Sequence, residues 1–368
     1  MRNKILKAVS VLLILIITVP FFASCGKKYD TVFEYNGYKI TENQYYYWLS
    51  SYKRNILYSF TDAVNTKEFW DREYSDGQTY EDYFTSRIRE QIQNYLIAEQ
   101  LFKDLKLKLD DEVKASINED FDEKISIAGG RRELNAELAE IMMSIDSLKD
   151  CYTAEKKLDA VTDYLFGDGG VLAPTGDDII KYYNDNYYRI KYIVFYKEKL
   201  LTDENGDYLR DDEGNPLTEK MTDEELAAEY AKLEACEKEI ENGAQFNDCA
   251  KKYSEYDVSS YPNGFLFSAN EIGVWGTAIF TATAAAEVNT LFRVDEDTAV
   301  FLIQKLPLTD FGELTDSDIE QISGLNKYVL NEAIGEYFAK LRKDVTVNQD
   351  VLDRYKLSEI APNPYFGY

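Results

Sequence analysis

Tyr188-Arg189-Ile190-Lys191-Tyr192-Ile193-Val194-Phe195-Tyr196 is the stretch on which the fold turns. β-Branched and aromatic residues fill it, which suits a pleated, half-buried strand. Downstream, an acidic excursion from Thr202 to Thr222 carries Asn205-Gly206 and Gly214-Asn215-Pro216, turn signals that predict a surface hairpin. A helix follows with Leu226, Tyr230, Leu233 and Ile240 on one face, then a second from Phe246 to Tyr253. A segment bearing glycine and aromatics reaches Phe267, a short helix surrounds Trp275 to Phe280, and a last strand, Thr298 to Leu306, stops at Pro307. Strand, two helices, strand, helix, strand is an α+β pattern over residues 188–308.

On both sides of that unit the texture is helical. Upstream, Val32 to Ile40 reads as a strand and turn around Asn36-Gly37. Thr41 with Gln44 then opens a helix whose apolar positions are Tyr45, Trp48, Tyr52 and Ile56. A long helix carries Phe84, Ile88, Ile92, Tyr95 and Phe102, and another begins near Asp110. Gly129-Gly130 punctuates the run before helical patterns over Glu133 to Met143 and Ser147 to Phe166. Gly167 to Gly170 breaks the chain, and Thr175 starts a short helix over Ile179, Ile180 and Tyr183. Past Pro307 a helical stripe returns at Ile319, Ile322, Tyr328, Ala333 and Tyr337. The expectation is a helical domain, 25–187, completed by the tail, 309–368, with the mixed unit inserted between them.

The chain opens with Arg2, Lys4 and Lys7, an apolar run from Ala8 to Phe22, and Ala23-Ser24-Cys25. A charged start, a short apolar run and small residues before a cysteine make a signal peptide, 1–24. A spanning helix needs about 20 apolar residues, so an uncleaved anchor is the weaker reading. Phe22 to Cys25 resembles a bacterial lipobox, with Phe22 where leucine is usual. That resemblance implies a lipid on Cys25 and a protein held on the outer face of the cytoplasmic membrane. The formal charge of −26 argues against nucleic acid, whose phosphates would repel the chain. It argues equally against electrostatic adhesion to anionic lipid, leaving the acyl chain as the membrane signal. With 45% hydrophobic and 14% aromatic residues the chain can bury real cores. Its 30 tyrosines fit either wet, mixed binding surfaces or a tyrosine-rich interior.

Cys151, Cys236 and Cys249 each sit in a helical pattern without Cys-x-x-Cys spacing, and read as small buried hydrophobes. Histidine is absent altogether, which removes the commonest general base and the commonest metal ligand. In Asp203-Glu204-Asn205-Gly206 the glycine is fourth, whereas an EF-hand loop needs it sixth. Neither a metal nor a cofactor is expected.

Three segments carry a family resemblance: Asn242-Gly243-Ala244-Gln245-Phe246, Ala250-Lys251-Lys252-Tyr253-Ser254-Glu255 and Asn263-Gly264-Phe265-Leu266-Phe267. They resemble the middle of a parvulin-type peptidyl-prolyl isomerase domain, which has an FKBP-like mixed fold. Phe33 to Leu49 and Pro174 to Asn186 resemble the flanking parts of PrsA and SurA type foldases, so the order of parts spans nearly the whole mature chain. The resemblance implies a SurA-like helical chaperone domain around an inserted parvulin-like domain, and partners that are unfolded or partly folded exported proteins. It also maps a site. Tyr192 and Phe301 stand where the family usually places two histidines, and Asp257 stands at its acidic position. Trp275 and Ile272 fall at the apolar floor of the proline pocket, and Phe265 replaces the second glycine of a Gly-Gly pair. Trp275 reads equally as a core aromatic, and Asp257 as a solvated loop carboxylate. The functions left open are a foldase with weak isomerase activity, a holdase whose inserted domain only binds, and an unrelated substrate-binding lipoprotein. The last would be expected to show two similar α/β lobes, and only one mixed unit is visible.

Overall fold

The computed structural model describes residues 28–60, 64–75, 77–204, 207–211, 214, 216–256 and 261–363. Cys25 and the signal segment lie outside them. The chain is α+β and divides into two compact units: residues 1–161 with 338–368, and residues 162–337.

The first unit is mainly helical. Asn36 and Gly37 take positive φ, 48° and 87°, as the tight turn joining Thr31–Tyr35 to Tyr38–Thr41 requires. Thr346–Val347 pairs on the other side of Thr31–Tyr35, so a segment from near the C-terminus completes a three-stranded sheet. Thr41 and Gln44 cap the helix Glu42–Ser59 reciprocally. That helix buries Tyr45 and Trp48, and the Trp48 indole stacks 4.9 Å from Tyr95 while donating to Glu155 at 2.7 Å. Lys53, fully buried, donates to the carbonyls of Leu357 (2.6 Å), Ser358 (3.2 Å) and Ile360 (2.7 Å). A buried ammonium needs such acceptors.

The second unit is built on a four-stranded antiparallel sheet: β1 (Tyr187–Tyr196), β2 (Phe265–Ser268), β3 (Leu291–Asp295) and β4 (Ala299–Leu306), in the order β2-β1-β4-β3. The edge strand β3 departs from the sequence expectation. Only Val294 of its five residues is buried, so it shows almost no hydrophobic alternation. Because β1 is central, both of its faces are covered. Ile193 and Phe195, with Val300 and Leu302, pack under α1 (Asp223–Glu241) and α2 (Phe246–Tyr253) through Leu233, Cys236, Phe246, Cys249 and Ala250. Ile190, Tyr192 and Val194, with Ala299, Phe301 and Ile303, face α3 (Ile272–Trp275) and α4 (Thr277–Ala285).

This unit is wider than residues 188–308. Tyr183 and Tyr187 on one flank pack with Leu266, Ile322, Leu325 and Val329. Arg189 of β1 meets Asp318 of α5 (Asp316–Gln321) in an ion pair of 2.9 Å with both side chains 4% exposed. The Leu266 amide donates to Gln321 at 2.8 Å. Helical texture alone assigns residues 162–187 and 309–337 to the other unit; these long-range contacts bring them to the sheet, while 338–368 stays with the helical unit.

Candidate functional site

Tyr192 is the centre of the site. It lies in mid-β1, its ring on the α3/α4 face, with Phe265 at 5.1 Å, Trp275 at 5.5 Å, Phe301 at 6.0 Å and Tyr256 at 6.2 Å between ring centroids. Phe301 shares that face because Tyr192 pairs with Ile303 and Val194 with Phe301, and strand residues two apart point the same way. Trp275 also touches Phe265 (5.4 Å) and Phe267 (5.2 Å), and Tyr261 covers Phe265 at 4.4 Å. Tyr192 and Phe267 form a buried floor; Tyr261, Phe265, Trp275 and Phe301 are half-buried, and Tyr256, 48% exposed, stands at the rim.

The local sequence explains how the rim is held. Beyond Ile190, β2 no longer pairs with β1, and the Ser254–Tyr256 segment takes its place. The Val194 amide donates to the Ser254 hydroxyl oxygen (3.3 Å), which donates in turn to the Tyr256 carbonyl (2.9 Å). The Glu255 amide donates to the Val194 carbonyl (3.2 Å), and the Glu255 carboxylate accepts from the Tyr196 amide (2.9 Å). Tyr253-Ser254-Glu255 is thus a clasp that fixes the start of the rim against β1. Gly264 sets the other end: at φ +93° its missing Cβ would stand 2.4 Å from the Ile190 carbonyl oxygen. No other residue type permits this approach of β2 to β1.

Burial, then the neighbouring hydroxyls of Tyr256, Tyr196 and Tyr261, push the Tyr192 phenol well above its ordinary pKa. It therefore remains a hydrogen-bond donor at every physiological pH, and among the described residues its hydroxyl has no partner. Among the described residues the site combines apolar ring faces with neutral hydrogen-bond donors and no base.

Of the residues expected from the sequence, Tyr192, Trp275 and Phe301 come together. Asp257 lies outside the described residues, as does Cys25. Ile272 opens α3, and its side chain is outside the described part of the structure. Sequence reasoning missed Tyr256 and Tyr261 and gave Phe265 no role beyond a replaced glycine. The signal for the first two was a pair of aromatics flanking Asp257 in a Ser-, Pro- and Gly-bearing loop, where a large apolar ring needs a reason. Phe280 packs on Tyr188 and Phe267 at 5.8 and 6.3 Å.

The helical unit has its own aromatic patch. Phe60, Tyr74, Tyr80, Tyr83 and Phe84 form a continuous set of ring contacts, with Tyr74 stacked on Tyr83 at 3.8 Å, above the buried Phe69 and Trp70. Tyr58 nearby in sequence is 92% exposed and Tyr74 45%. Among the described residues no three His, Cys, Asp or Glu side chains are grouped to hold a metal ion, and no helix is long and apolar enough to cross a membrane.

No protein-family model matches the chain, and no curated protein matches it. Solved structures similar to it include PrsA from Bacillus subtilis, 18% identical, covering 76% of this chain and 93% of that one at a TM-score of 0.23. Peptidylprolyl isomerase (PrsA) from Bacillus cereus is 18% identical over 77% and 90%, at 0.28. Foldase protein PrsA from Streptococcus pneumoniae is 13% identical over 89% and 100%, at 0.24.

Proposed function

We propose that this protein is an extracytoplasmic, lipid-anchored foldase that holds unfolded or partly folded exported proteins and adds weak, proline-directed isomerisation. The observation that carries the reading is the aromatic bowl around Tyr192, a buried ring whose hydroxyl stays protonated and has no partner among the described residues. Rotating an X-Pro bond needs no nucleophile and no proton transfer. Its barrier of about 18–20 kcal/mol comes from amide resonance, which weakens when the group is desolvated and twisted. Ring faces of Trp275, Phe265 and Phe301 would take the apolar pyrrolidine, and Tyr256 and Tyr261 would close over it. Asp257 would oppose negative charge on the substrate carbonyl oxygen and so lower the double-bond character of C–N. Tyr192 would donate to a substrate carbonyl as it turns, but one phenol cannot reproduce a pair of imidazoles, which is why the rate is expected to be low. Client holding is assigned to the aromatic patch of the helical unit, because ring faces bind many sequences.

A protease-coupled isomerase assay, run beside aggregation suppression on the same variants, tests the division. Tyr192→Phe keeps the ring and should slow isomerisation by about the worth of one hydrogen bond, 0.5–1.5 kcal/mol, or roughly two- to twelvefold. Trp275→Ala and Asp257→Ala should abolish it while holding persists. If all three variants isomerise like the parent, the bowl is not the site. Brisk isomerisation by the parent would refute the weak-enzyme reading, and its complete absence would leave a holdase. For the anchor, Cys25→Ala should abolish labelling by a fatty-acid analogue, and equal labelling of parent and variant would refute lipidation there.

A further inference from the structure

Cys236 and Cys249 lie on consecutive helices, one on α1 and one on α2, and the packing of those helices brings them into one buried cluster. Both are buried, at 0% and 2% exposure, in the apolar layer that these helices lay over Ile193, Phe195, Val300 and Leu302. The two thiols lie in one buried cluster, and Cys249 is near enough to help raise the pKa of Cys236. Two features hold the helices in that register. One turn beyond each cysteine, the Glu239 carboxylate accepts from the Lys252 ammonium (2.5 Å) and the Tyr253 hydroxyl (2.8 Å). Between the helices the chain turns through Gly243 at φ +96°, its amide donating to Ile240 (2.9 Å) and that of Ala244 to Glu239 (3.0 Å). Cys151, the third free thiol among the described residues, belongs to the other unit.

We propose that Cys236 and Cys249 form a modification site: a dithiol that a low-molecular-weight disulfide converts into an intramolecular bond stapling α1 to α2. In the first step the Cys249 thiolate attacks one sulfur of the reagent, forming a mixed disulfide and releasing the other half as a thiolate. The Cys236 thiolate then attacks the Cys249 sulfur, closing the protein disulfide and releasing the second half. Two protein thiols are oxidised, one reagent disulfide is reduced to two thiols, and the protein's two protons pass through solvent to the released thiolates. The order follows from the surroundings. Burial and then Glu239 raise the Cys249 thiol, with Lys252 pulling it back, whereas burial and then Cys249 itself push Cys236 up to about 12. Cys249 is thus the better source of thiolate. The same burial disfavours the thiolates that a reductant must release, so the staple forms slowly and resists reduction. Because α2 runs directly into the Ser254 clasp, the staple would stiffen the helix that feeds the rim of the aromatic site. The chemistry does not depend on the proline-binding reading.

Thiol counting on the full chain, with Cys25→Ser so that three thiols remain, provides the test. The folded protein is incubated with oxidised glutathione, quenched in acid, unfolded and alkylated with N-ethylmaleimide before intact-mass and peptide analysis. Three adducts are expected before oxidation and one afterwards, on Cys151, with a Cys236–Cys249 cross-linked peptide and no retained glutathione. Cys236→Ala should instead retain glutathione on Cys249. The proposal fails if folded protein keeps three alkylatable thiols, if the cross-link involves Cys151, or if the parent retains glutathione on Cys249. Hydrogen exchange of amides 236–253 should slow at least several-fold on oxidation, and unchanged or faster exchange would show that the bond is not a staple.

Discussion

Replacing Arg189 by methionine should loosen the sheet unit more than any surface substitution in it. The guanidinium Nη2 stands 2.9 Å from the Asp318 carboxylate, and Nη1 donates to the Asn263 carbonyl at 3.2 Å. Both side chains of the pair are 4% exposed, so methionine would fill the volume while leaving a carboxylate buried without its counter-charge. Breaking a buried pair in this way costs about 3–5 kcal/mol. At about 1.4 kcal/mol per decade that is roughly a hundred- to several-thousand-fold faster exchange of the most protected amides. Hydrogen exchange of peptides covering β1 and β4 reads this unit without assuming that the whole chain unfolds in one step. Arg189→Met with Asp318→Asn removes both charges and keeps an oxygen for the Thr315 cap, so most of the loss should be recovered. A single variant losing less than about 1 kcal/mol, far below the range for a broken buried pair, or a double variant losing as much as the single one, would refute the reasoning.

The same pair gives a pH dependence. Burial works to raise the Asp318 pKa, but the Thr315 amide and hydroxyl and the Arg189 guanidinium outweigh it, and the carboxyl ends below its ordinary value. With the folded pKa depressed, the stabilisation is fully present above the unfolded value of about 3.9 and disappears as pH falls through the folded value. Exchange protection of β1 should therefore decline on acidification below about pH 4, and less steeply in the double variant.

Lys53→Met should leave the carbonyls of Leu357, Ser358 and Ile360 without their donor, costing about 1–3 kcal/mol and exposing residues 357–363 to proteolysis, which limited digestion would reveal. Burial pulls Lys53 down to about 8, so between that value and its unfolded pKa of about 10.4 the unfolded chain binds more protons. Lys53 should therefore add a rise in stability with pH across that window, and denaturation midpoints of the methionine variant should lack it. Gly264→Ala should cost at least about 1–3 kcal/mol, since an L residue at φ +93° is strained and its Cβ would meet Ile190 O. Lowered thermal stability together with faster exchange of residues 187–190 would register it. Any isomerase activity should be flat from about pH 6 to 8, because the chain has no histidine and Tyr192 stays protonated. A step near pH 6.5 would contradict this.

What was legible in the sequence was local. Asn36-Gly37 announced a positive-φ turn, Thr41 and Gln44 a capping box, and the run from Tyr188 a strand, because each signal lies within a few residues of its effect. Trp275, Tyr192 and Phe301 were placed by a family resemblance, and their convergence on one face follows from the two-residue strand period once β4 pairs with β1. What was not legible depends on partners far along the chain. Leu266 with Val329, Arg189 with Asp318 and Lys53 with Leu357 leave no periodic trace, since each residue alone looks like an ordinary apolar or charged position. The edge strand β3 escaped because one buried residue makes no pattern, and the cysteine pair because helix packing, not spacing, brings the thiols together.

Phe265 ties the rings of the site together. A glycine in place of Phe265 would leave a gap beside β1; the phenylalanine ring fills that space, meeting Tyr192, Trp275 and Tyr261 at 4.4–5.4 Å. Among the described residues the site is organised by ring packing. Edge-to-face and offset contacts each contribute about 0.5–1.5 kcal/mol, so ring packing alone holds these side chains together. The rim begins on a segment that Ser254 clasps to β1, so the packed floor and the start of the rim share one strand.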